Sequence, residues 1–169
     1  MALVKIDHTS ECAGVNLPLY MVLPHYSLAE PQPLEHYRVL YLLHGLSDDG
    51  SAWQRNTPIE QFARRYNLIV VMPSAGRSFY ADMANGQAYF RYITEEVPAL
   101  LKATFRLNLA RENTSIAGFS MGGYGAFKAA FLRPELYSAA ASFSGLLLMN
   151  EHALRSETPV SNKLRKELG

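Results

Sequence analysis

The sequence predicts an α/β fold in which one mostly parallel sheet is covered by helices on both faces. Two kinds of segment alternate along the chain: short, nearly continuous apolar runs that end at turn-forming residues, and longer stretches in which apolar residues recur at three- and four-residue steps. The runs are typical of strands buried on both faces, and the stretches are typical of amphipathic helices. Their alternation predicts parallel strands joined by crossover helices. Because 169 residues suffice for one domain and are too few for two, we expect a single domain over residues 1–169.

Six segments have the character of strands. Two of them, 39–43 and 68–72, are almost wholly apolar and end near Gly45 and Pro73, which predicts central strands covered on both sides. Two later runs repeat this pattern, and two runs near the N-terminus predict strands closer to one edge. The complete set of expected strands is 3–6, 17–23, 39–43, 68–72, 114–117 and 138–144.

The first expected helix has clear start and stop signals. Thr57 is a candidate N-cap, Pro58 occupies the first helical position, and Glu60 follows the cap by three residues. Apolar residues at 59, 62 and 63 lie on one side of this helix, which should end near Asn67.

Further helices are expected later in the chain. The helix 87–105 has apolar residues at three- and four-residue steps and should be kinked at Pro98. Another helix, 124–132, stops before a proline, and the more polar C-terminal stretch predicts a short helix at 162–168.

Composition argues against several classes of partner and location. Lys and Arg number 16 against 15 Asp and Glu, so no surface is expected to carry a field of one sign, and nucleic acid is not an expected partner. No apolar run approaches the about 20 residues that span a bilayer, and the first residues lack the basic start and apolar centre of a signal peptide. Cys12 is the only cysteine, which excludes an intrachain disulfide and fits a reducing compartment. We therefore expect a cytoplasmic protein without a membrane span.

One glycine-rich motif indicates chemistry. The residues from Gly118 to Gly123, Gly-Phe-Ser-Met-Gly-Gly, close a predicted strand and open a predicted helix. This setting is typical of a nucleophile elbow, a sharp turn that projects a serine hydroxyl, and it identifies Ser120 as the candidate nucleophile. The alternative, a purely structural turn, is disfavoured by that placement. Side chains at Gly118 and Gly122 would collide with the neighbouring strand and helix, which explains why glycine stands there.

Two backbone N–H groups are candidates for an oxyanion hole. The N–H of Met121 begins the helix after Ser120, where it would face the carbonyl oxygen of a substrate under attack. The N–H of Leu46, in the loop that follows the strand 39–43, is the second candidate. We expect Gly45 and His44 to support this loop, and an orienting role for His44 is favoured over a general base because it precedes the serine and adjoins a proposed donor.

Ser120 also needs a general base and an acid that orients it, and in this architecture both follow the serine in the chain. The chain after Ser120 contains one histidine, His152, no aspartate, and glutamates at 135, 151, 157 and 167. A triad built from His152 is one interpretation. We favour the other, in which both partners are absent, because His152 follows the sixth strand directly rather than two further strands.

Two further groups of residues are candidates for binding. Asp48 and Asp49 stand with Gly50 in a predicted turn, and no histidine or carboxylate cluster has metal-ligand spacing, so we expect neither a metal nor another cofactor. Trp53 and Tyr80 follow the carboxyl ends of predicted strands, where open sheets bind ligands. They line an acyl or alcohol pocket in one interpretation and pack beneath loops in the other.

The chain resembles the esterase D group of α/β-hydrolases, which includes S-formylglutathione hydrolases, bacterial tributyrin-type acetyl esterases and mycolyltransferases. The pair His44-Gly45 is more similar to the tributyrin-esterase branch. The motifs that carry the resemblance are Tyr-Leu-Leu-His-Gly-Leu at 41–46, Val-Met-Pro at 71–73, Tyr-Ile-Thr-Glu-Glu-Val-Pro at 92–98, Ala-Gly-Phe-Ser-Met-Gly-Gly-Tyr-Gly-Ala at 117–126 and Ala-Ser-Phe-Ser-Gly at 141–145.

This resemblance implies a three-layer α/β-hydrolase sheet, mostly parallel and truncated after about the sixth strand. It also implies a serine carboxylesterase that acts on short-chain acyl esters, with small-molecule substrates and an acyl-serine intermediate. The resemblance ends near residue 147, before the part that holds the acid and base in the family, so we expect weak or no turnover from this chain. The sixth strand would then be an apolar sheet edge open to self-association.

Other interpretations of the same sequence remain open. An acyltransferase or a peptidase of the same fold would use the same nucleophile with another acceptor or acyl group. A binding module that kept the sheet and lost the chemistry would bind an ester analogue without reacting. A second chain, or a continuation of the gene, would supply the acid and base in a further interpretation.

Overall fold

The computed structural model describes residues 1–24, 33–84 and 86–146. His25, the candidate base His152 with the glutamates at 151, 157 and 167, and the expected helix 162–168 lie outside these residues. Among the described residues, no helix has both the length and the apolar content that crossing a membrane requires.

All six expected strands are present and form one sheet. The sheet order is β1-β2-β4-β3-β5-β6. Strands β3, β4, β5 and β6 run parallel, while β2 is antiparallel to both β1 and β4. The predicted mostly parallel α/β sheet is therefore confirmed. The strands are β1 (Ala2–Thr9), β2 (Asn16–Leu23), β3 (Arg38–Leu43), β4 (Leu68–Pro73), β5 (Thr114–Phe119) and β6 (Ala139–Phe143).

Helices connect the strands much as the apolar periodicity indicated. The elements described are α1 (Ala52–Asn56), α2 (Ile59–Tyr66), α3 (Tyr89–Arg91), a π-helical turn (Tyr92–Glu96), α4 (Val97–Phe105) and α5 (Met121–Leu132), with 3-10 turns at Leu34–His36 and Arg111–Asn113. The helix expected at 87–105 thus runs continuously from α3 through α4. Its geometry changes next to Pro98, which has no N–H to donate to the preceding turn.

The predicted N-cap of α2 is wrong by one residue. Pro58, not Thr57, precedes the first residue of α2. Thr57 instead ends α1, a helix that the sequence did not predict, since its N–H and its hydroxyl both donate to the carbonyl of Trp53. The carboxylate of Glu60 does not accept a hydrogen bond from the backbone N–H of Thr57, as a capping box would require. It accepts one from the side-chain amide of Gln54 instead. The predicted end at Asn67 is confirmed, and Asn67 adopts the left-handed conformation that terminates helices.

Both faces of the sheet carry a buried core, so the molecule has three layers. Neighbouring residues of one strand, such as Leu42 and Leu43, point to opposite cores because side chains alternate along a strand. The larger core packs beneath α3, α4 and α5, and the smaller one packs against α2. Phe62, which was expected to face inward on α2, is 46% exposed. It borders an open apolar groove of about 500 Å³ that extends across the sheet from α2 to Phe143 of β6.

Strand β6 is the last strand of the sheet within the described residues, and its residues are mostly exposed. It pairs with β5 on one side, from Ser115 opposite Ala139 to Phe119 opposite Phe143. Four of its five residues are exposed, including Phe143 at 51%. An apolar edge of this kind is a template for pairing with another chain, so self-association through β6 stays a prediction.

Replacing Ala141 of β6 with lysine should weaken that association, because an ammonium group on an edge strand opposes pairing with a second strand. We expect the wild-type chain to form dimers or larger species as its concentration rises and Ala141→Lys to stay monomeric, in sedimentation-velocity experiments. Gln61→Lys, which adds the same charge on the exposed surface of α2, is the matched control and should behave as the wild type. A wild-type chain that is monomeric at every concentration would contradict the prediction.

Candidate active site

Ser120 occupies a sharp turn between β5 and α5. Its backbone angles are φ 53° and ψ −115°, a conformation that residues with a side chain rarely adopt. Hydrogen bonds hold it from both sides: the Ser120 N–H donates to the carbonyl of Phe143 at 2.8 Å, and the Tyr124 N–H donates to the Ser120 carbonyl at 3.1 Å. Ser120 is half-buried, and its hydroxyl makes no hydrogen bond within the described part of the chain. Such a strained, supported turn presents an uncommitted hydroxyl.

Glycines let three backbone segments meet at this turn. A Cβ at Gly118 would collide with the carbonyl of Gly122, and a Cβ at Gly122 would collide with the carbonyl oxygen of Leu43 and lie 2.7 Å from that of His44. The start of α5 therefore packs directly on the ends of β5 and β3. Any larger residue at either position would drive these segments apart.

The two candidate oxyanion donors lie on these adjoining segments. Met121 is the first residue of α5, where backbone N–H groups have no partner inside the helix. Leu46 belongs to the turn after β3, which is closed by a hydrogen bond from the Asp48 N–H to the Gly45 carbonyl. None of the hydrogen bonds found between described residues uses the N–H of Leu46 or Met121. Within the described residues, both N–H groups are therefore unpaired, and their role as oxyanion donors stays a prediction.

Side chains from separate segments anchor the end of β3. The indole N–H of Trp53 donates to the Leu43 carbonyl at 3.0 Å, and the hydroxyl of Tyr80 donates to the His44 carbonyl at 2.9 Å. The backbone N–H of Ala75 donates to Nε2 of His44 at 2.9 Å. The segment that leads to Leu46 is thus fixed by α1, by the loop after β4 and by Tyr80. The sequence carried no signal for these contacts, because their partners lie up to 36 residues apart.

The structure separates the two residues considered for a pocket. Trp53 is half-buried and borders a pocket of about 250 Å³ together with Gly45, Asp48 and Phe119. Tyr80 is only 1% exposed, and its ring offers no surface to a ligand. Tyr80 therefore packs beneath a loop, whereas Trp53 borders a pocket, and its binding of an acyl or alcohol group stays a prediction.

His44 is buried and both of its ring nitrogens are occupied. Its Nδ1 lies 2.7 Å from the Gly45 carbonyl, so Nδ1 must carry the proton, and Nε2 is left to accept the Ala75 N–H. Burial lowers the pKa of this imidazole, although the Gly45 carbonyl and the carboxylates of Asp48 and Asp49 oppose that effect. A neutral ring with no free nitrogen holds its own loop and is not available to accept a proton.

The acidic residues near the turn make local contacts. Asp49 accepts hydrogen bonds from the N–H and the hydroxyl of Ser51, and the guanidinium of Arg55 lies 3.3 Å from Asp48 and 3.8 Å from Asp49. Within the described ranges, no group of three or more His, Cys, Asp or Glu side chains could hold a metal ion. These carboxylates stabilise the turn and the start of α1.

Comparison with known proteins identifies the family of the chain. The chain matches the family model "Esterase", described as "Putative esterase", over residues 10–162. It is 28% identical over 158 residues to an acetyl esterase of Caldicellulosiruptor saccharolyticus, a match that covers 90% of this chain and 59% of the relative.

Solved structures of Staphylococcus aureus proteins are also similar. A fluorophosphonate-binding serine hydrolase, FphF, aligns with a TM-score of 0.80 and 33% identity over 93% of this chain and 62% of its own. An S-formylglutathione hydrolase, FrmB, aligns with a TM-score of 0.78 and 31% identity over 96% of this chain and 64% of its own. The chain therefore spans less than two thirds of the length of these relatives. With the family model matched over most of its residues, the chain belongs to the Esterase family, a group of α/β-hydrolase-like enzymes.

Proposed function

We propose that Ser120 is the nucleophile of a carboxylesterase that acts on short-chain acyl esters. The observation that carries this proposal is the backbone of Ser120, held at φ 53° and ψ −115° beside the unpaired first N–H of α5. The match to an acetyl esterase supports small acyl groups as substrates. The lone cysteine, Cys12, supports a reducing, cytoplasmic location.

In the proposed reaction, Oγ of Ser120 attacks the carbonyl carbon of the ester. The carbonyl oxygen becomes negatively charged and is held by the N–H groups of Leu46 and Met121. The bond between the carbonyl carbon and the alcohol oxygen then breaks, and the alcohol leaves with the proton that the Ser120 hydroxyl has lost. The acyl-serine that remains is later hydrolysed by water, which releases the acid and restores the serine hydroxyl. A donor of this kind typically contributes about 10² to 10³ in rate, so two rigid donors would supply a large part of the acceleration.

No described histidine is placed to take the proton from the Ser120 hydroxyl. His44 has no free nitrogen, and His36 lies before β3, at the opposite end of the sheet from Ser120. His8 lies on β1, four strands from β5 in the sheet order, or about 19 Å at the usual strand spacing. We therefore propose that the 169-residue chain alone turns over esters weakly, because an unassisted serine hydroxyl is a poor nucleophile.

Labelling with a fluorophosphonate probe tests the role of Ser120. We expect the probe to react with Ser120 alone, slowly, and Ser120→Ala to lose all labelling, because Oγ is the atom that displaces fluoride at phosphorus. Intact-protein and peptide mass spectrometry would measure the modification, with Ser144→Ala, at another serine of positive φ, as the matched control. A chain that binds an ester analogue but never reacts would instead be a binding module.

Hydrolysis of p-nitrophenyl acetate tests the weak-turnover proposal. We expect turnover by the chain close to that of Ser120→Ala, because no described base assists the hydroxyl. Robust turnover that depends on Ser120 would show that a base reaches it and would overturn this part of the proposal. Offering thiol, sugar and amine acceptors in the same assay would reveal an acyltransferase by transfer in place of hydrolysis.

The pH dependence of stability tests the state of His44. The pKa of His44 is lowered in the folded chain from its usual value of about 6.5, so below that pH the unfolded chain binds more protons than the folded one. The stabilisation is complete above pH 6.5 and is lost as the pH falls through the folded pKa. We expect urea midpoints to fall between pH 7.5 and 5.5 in the wild type and to fall less in His44→Gln. The exposed His36→Gln is the control, and identical pH profiles for wild type and His44→Gln would contradict the prediction.

A further inference from the structure

We propose that Tyr80 is the positioning residue that fixes the oxyanion loop against the elbow helix, an inference that rests on the proposed function of Leu46 and Met121. Tyr80 touches both segments at once. Its hydroxyl donates to the His44 carbonyl at 2.9 Å, two residues before Leu46. Its ring lies against Gly125, about one turn of α5 beyond Met121.

The contact with Gly125 leaves no free space. A Cβ at position 125 would lie 2.6 Å from Cγ and 3.0 Å from Cβ of Tyr80, closer than atoms approach without displacement. Gly125 is therefore the position at which α5 accepts the flat ring. The side chain of Tyr80 therefore bridges this part of α5 and the end of β3.

The loop that carries Tyr80 is held firmly. Phe79 and Tyr80 both have positive φ, 50° and 52°, which residues with side chains adopt only when their surroundings enforce it. Hydrogen bonds close this turn, from the Tyr80 N–H to the Ser78 hydroxyl at 3.0 Å and from the Ala81 N–H to the Ser78 carbonyl at 3.1 Å. The ring of Phe79 packs edge-on against Tyr124 of α5, with centroids 6.2 Å apart. The backbone at Tyr80 is thus held rigidly, and this fixes the position of its side chain.

The hydroxyl of Tyr80 has one function in this arrangement. Tyr80 is buried, and the only hydrogen-bond partner of its hydroxyl within the described residues is the His44 carbonyl. Burial raises the pKa of Tyr80 well above its usual value, so the group stays a donor throughout the working pH range. Removing it would leave the His44 carbonyl unpaired and would free the turn that presents the Leu46 N–H.

The variant Tyr80→Phe isolates this hydrogen bond, because it keeps the ring against Gly125. Tyr41→Phe is the matched control: Tyr41 is buried in β3, and its hydroxyl has no partner within the described residues. We expect the maximal rate of fluorophosphonate labelling of Ser120 to fall about tenfold in Tyr80→Phe, less than the loss of a whole donor. The probe concentration at half-maximal rate should change less than twofold, and Tyr41→Phe should label as the wild type.

Hydrogen–deuterium exchange of the peptide that covers residues 43–47 gives a readout that does not need chemistry. Exchange should accelerate in Tyr80→Phe and stay unchanged in Tyr41→Phe. If the wild type is not labelled at all, the proposed function fails and this exchange alone decides the structural role of Tyr80. Unchanged exchange together with unchanged labelling in Tyr80→Phe would overturn the inference.

A second variant tests whether the contact between the Tyr80 ring and Gly125 also positions the loop. Gly125→Ala places a Cβ against the Tyr80 ring and should slow labelling and accelerate exchange at 43–47. In Tyr80→Ala, which has no ring to displace, adding Gly125→Ala should cause little further change. Full additivity of the two substitutions would show that Gly125 and Tyr80 do not act together, and it would also overturn the inference.

Discussion

The close approach of Gly122 to the end of β3 is the constraint on which the rest of the site depends. The Cα of Gly122 lies so near the carbonyls of Leu43 and His44 that no side chain fits between them. This backbone contact places the first turn of α5 beside the turn that follows β3. The two proposed oxyanion donors, Leu46 and Met121, are more than 70 residues apart in the sequence, and both lie on the segments that this contact joins.

A contact between backbones fixes one distance, but the turn after β3 also needs a fixed direction. Three hydrogen-bond donors fix this direction. The indole of Trp53 donates to the Leu43 carbonyl, and the Tyr80 hydroxyl donates to the His44 carbonyl. The N–H of Ala75 donates to the ring of His44. Buried polar groups that are all paired specify a single arrangement, whereas one unpaired member would cost free energy. His44 therefore works as a scaffold, with one ring nitrogen donating and the other accepting.

The sequence predicted the sheet and the sharp turn at Ser120, for physical reasons that do not extend to the anchoring contacts. Apolar runs and glycine spacing are local patterns, and this turn was recognisable because strand, turn and helix signals coincide there. The N-cap at Thr57 was wrong because the same side chain could also close a preceding helix, which has no apolar periodicity of its own. Phe62 follows the helical period yet borders an open groove within the described residues. The contact of Tyr80 depends on two consecutive positive φ angles at residues that do not favour them, and no propensity signals that.

The geometry separates the two tasks of a serine hydrolase. In the proposed site, charge stabilisation would come from the backbone N–H groups that follow β3 and β5, at the place where the glycines let these segments meet. Proton transfer requires a general base within hydrogen-bond distance of Ser120, most often a histidine, and no described histidine is in a position to act as one. Oxyanion donors and binding alone retain about 10³ to 10⁴ of the acceleration over water when triad members are removed from serine proteases. Rigidly held donors can therefore polarise the carbonyl group of an ester even without a general base. In the proposed site, the size of this contribution to the rate would depend on the rigidity of the turn at residues 43–46.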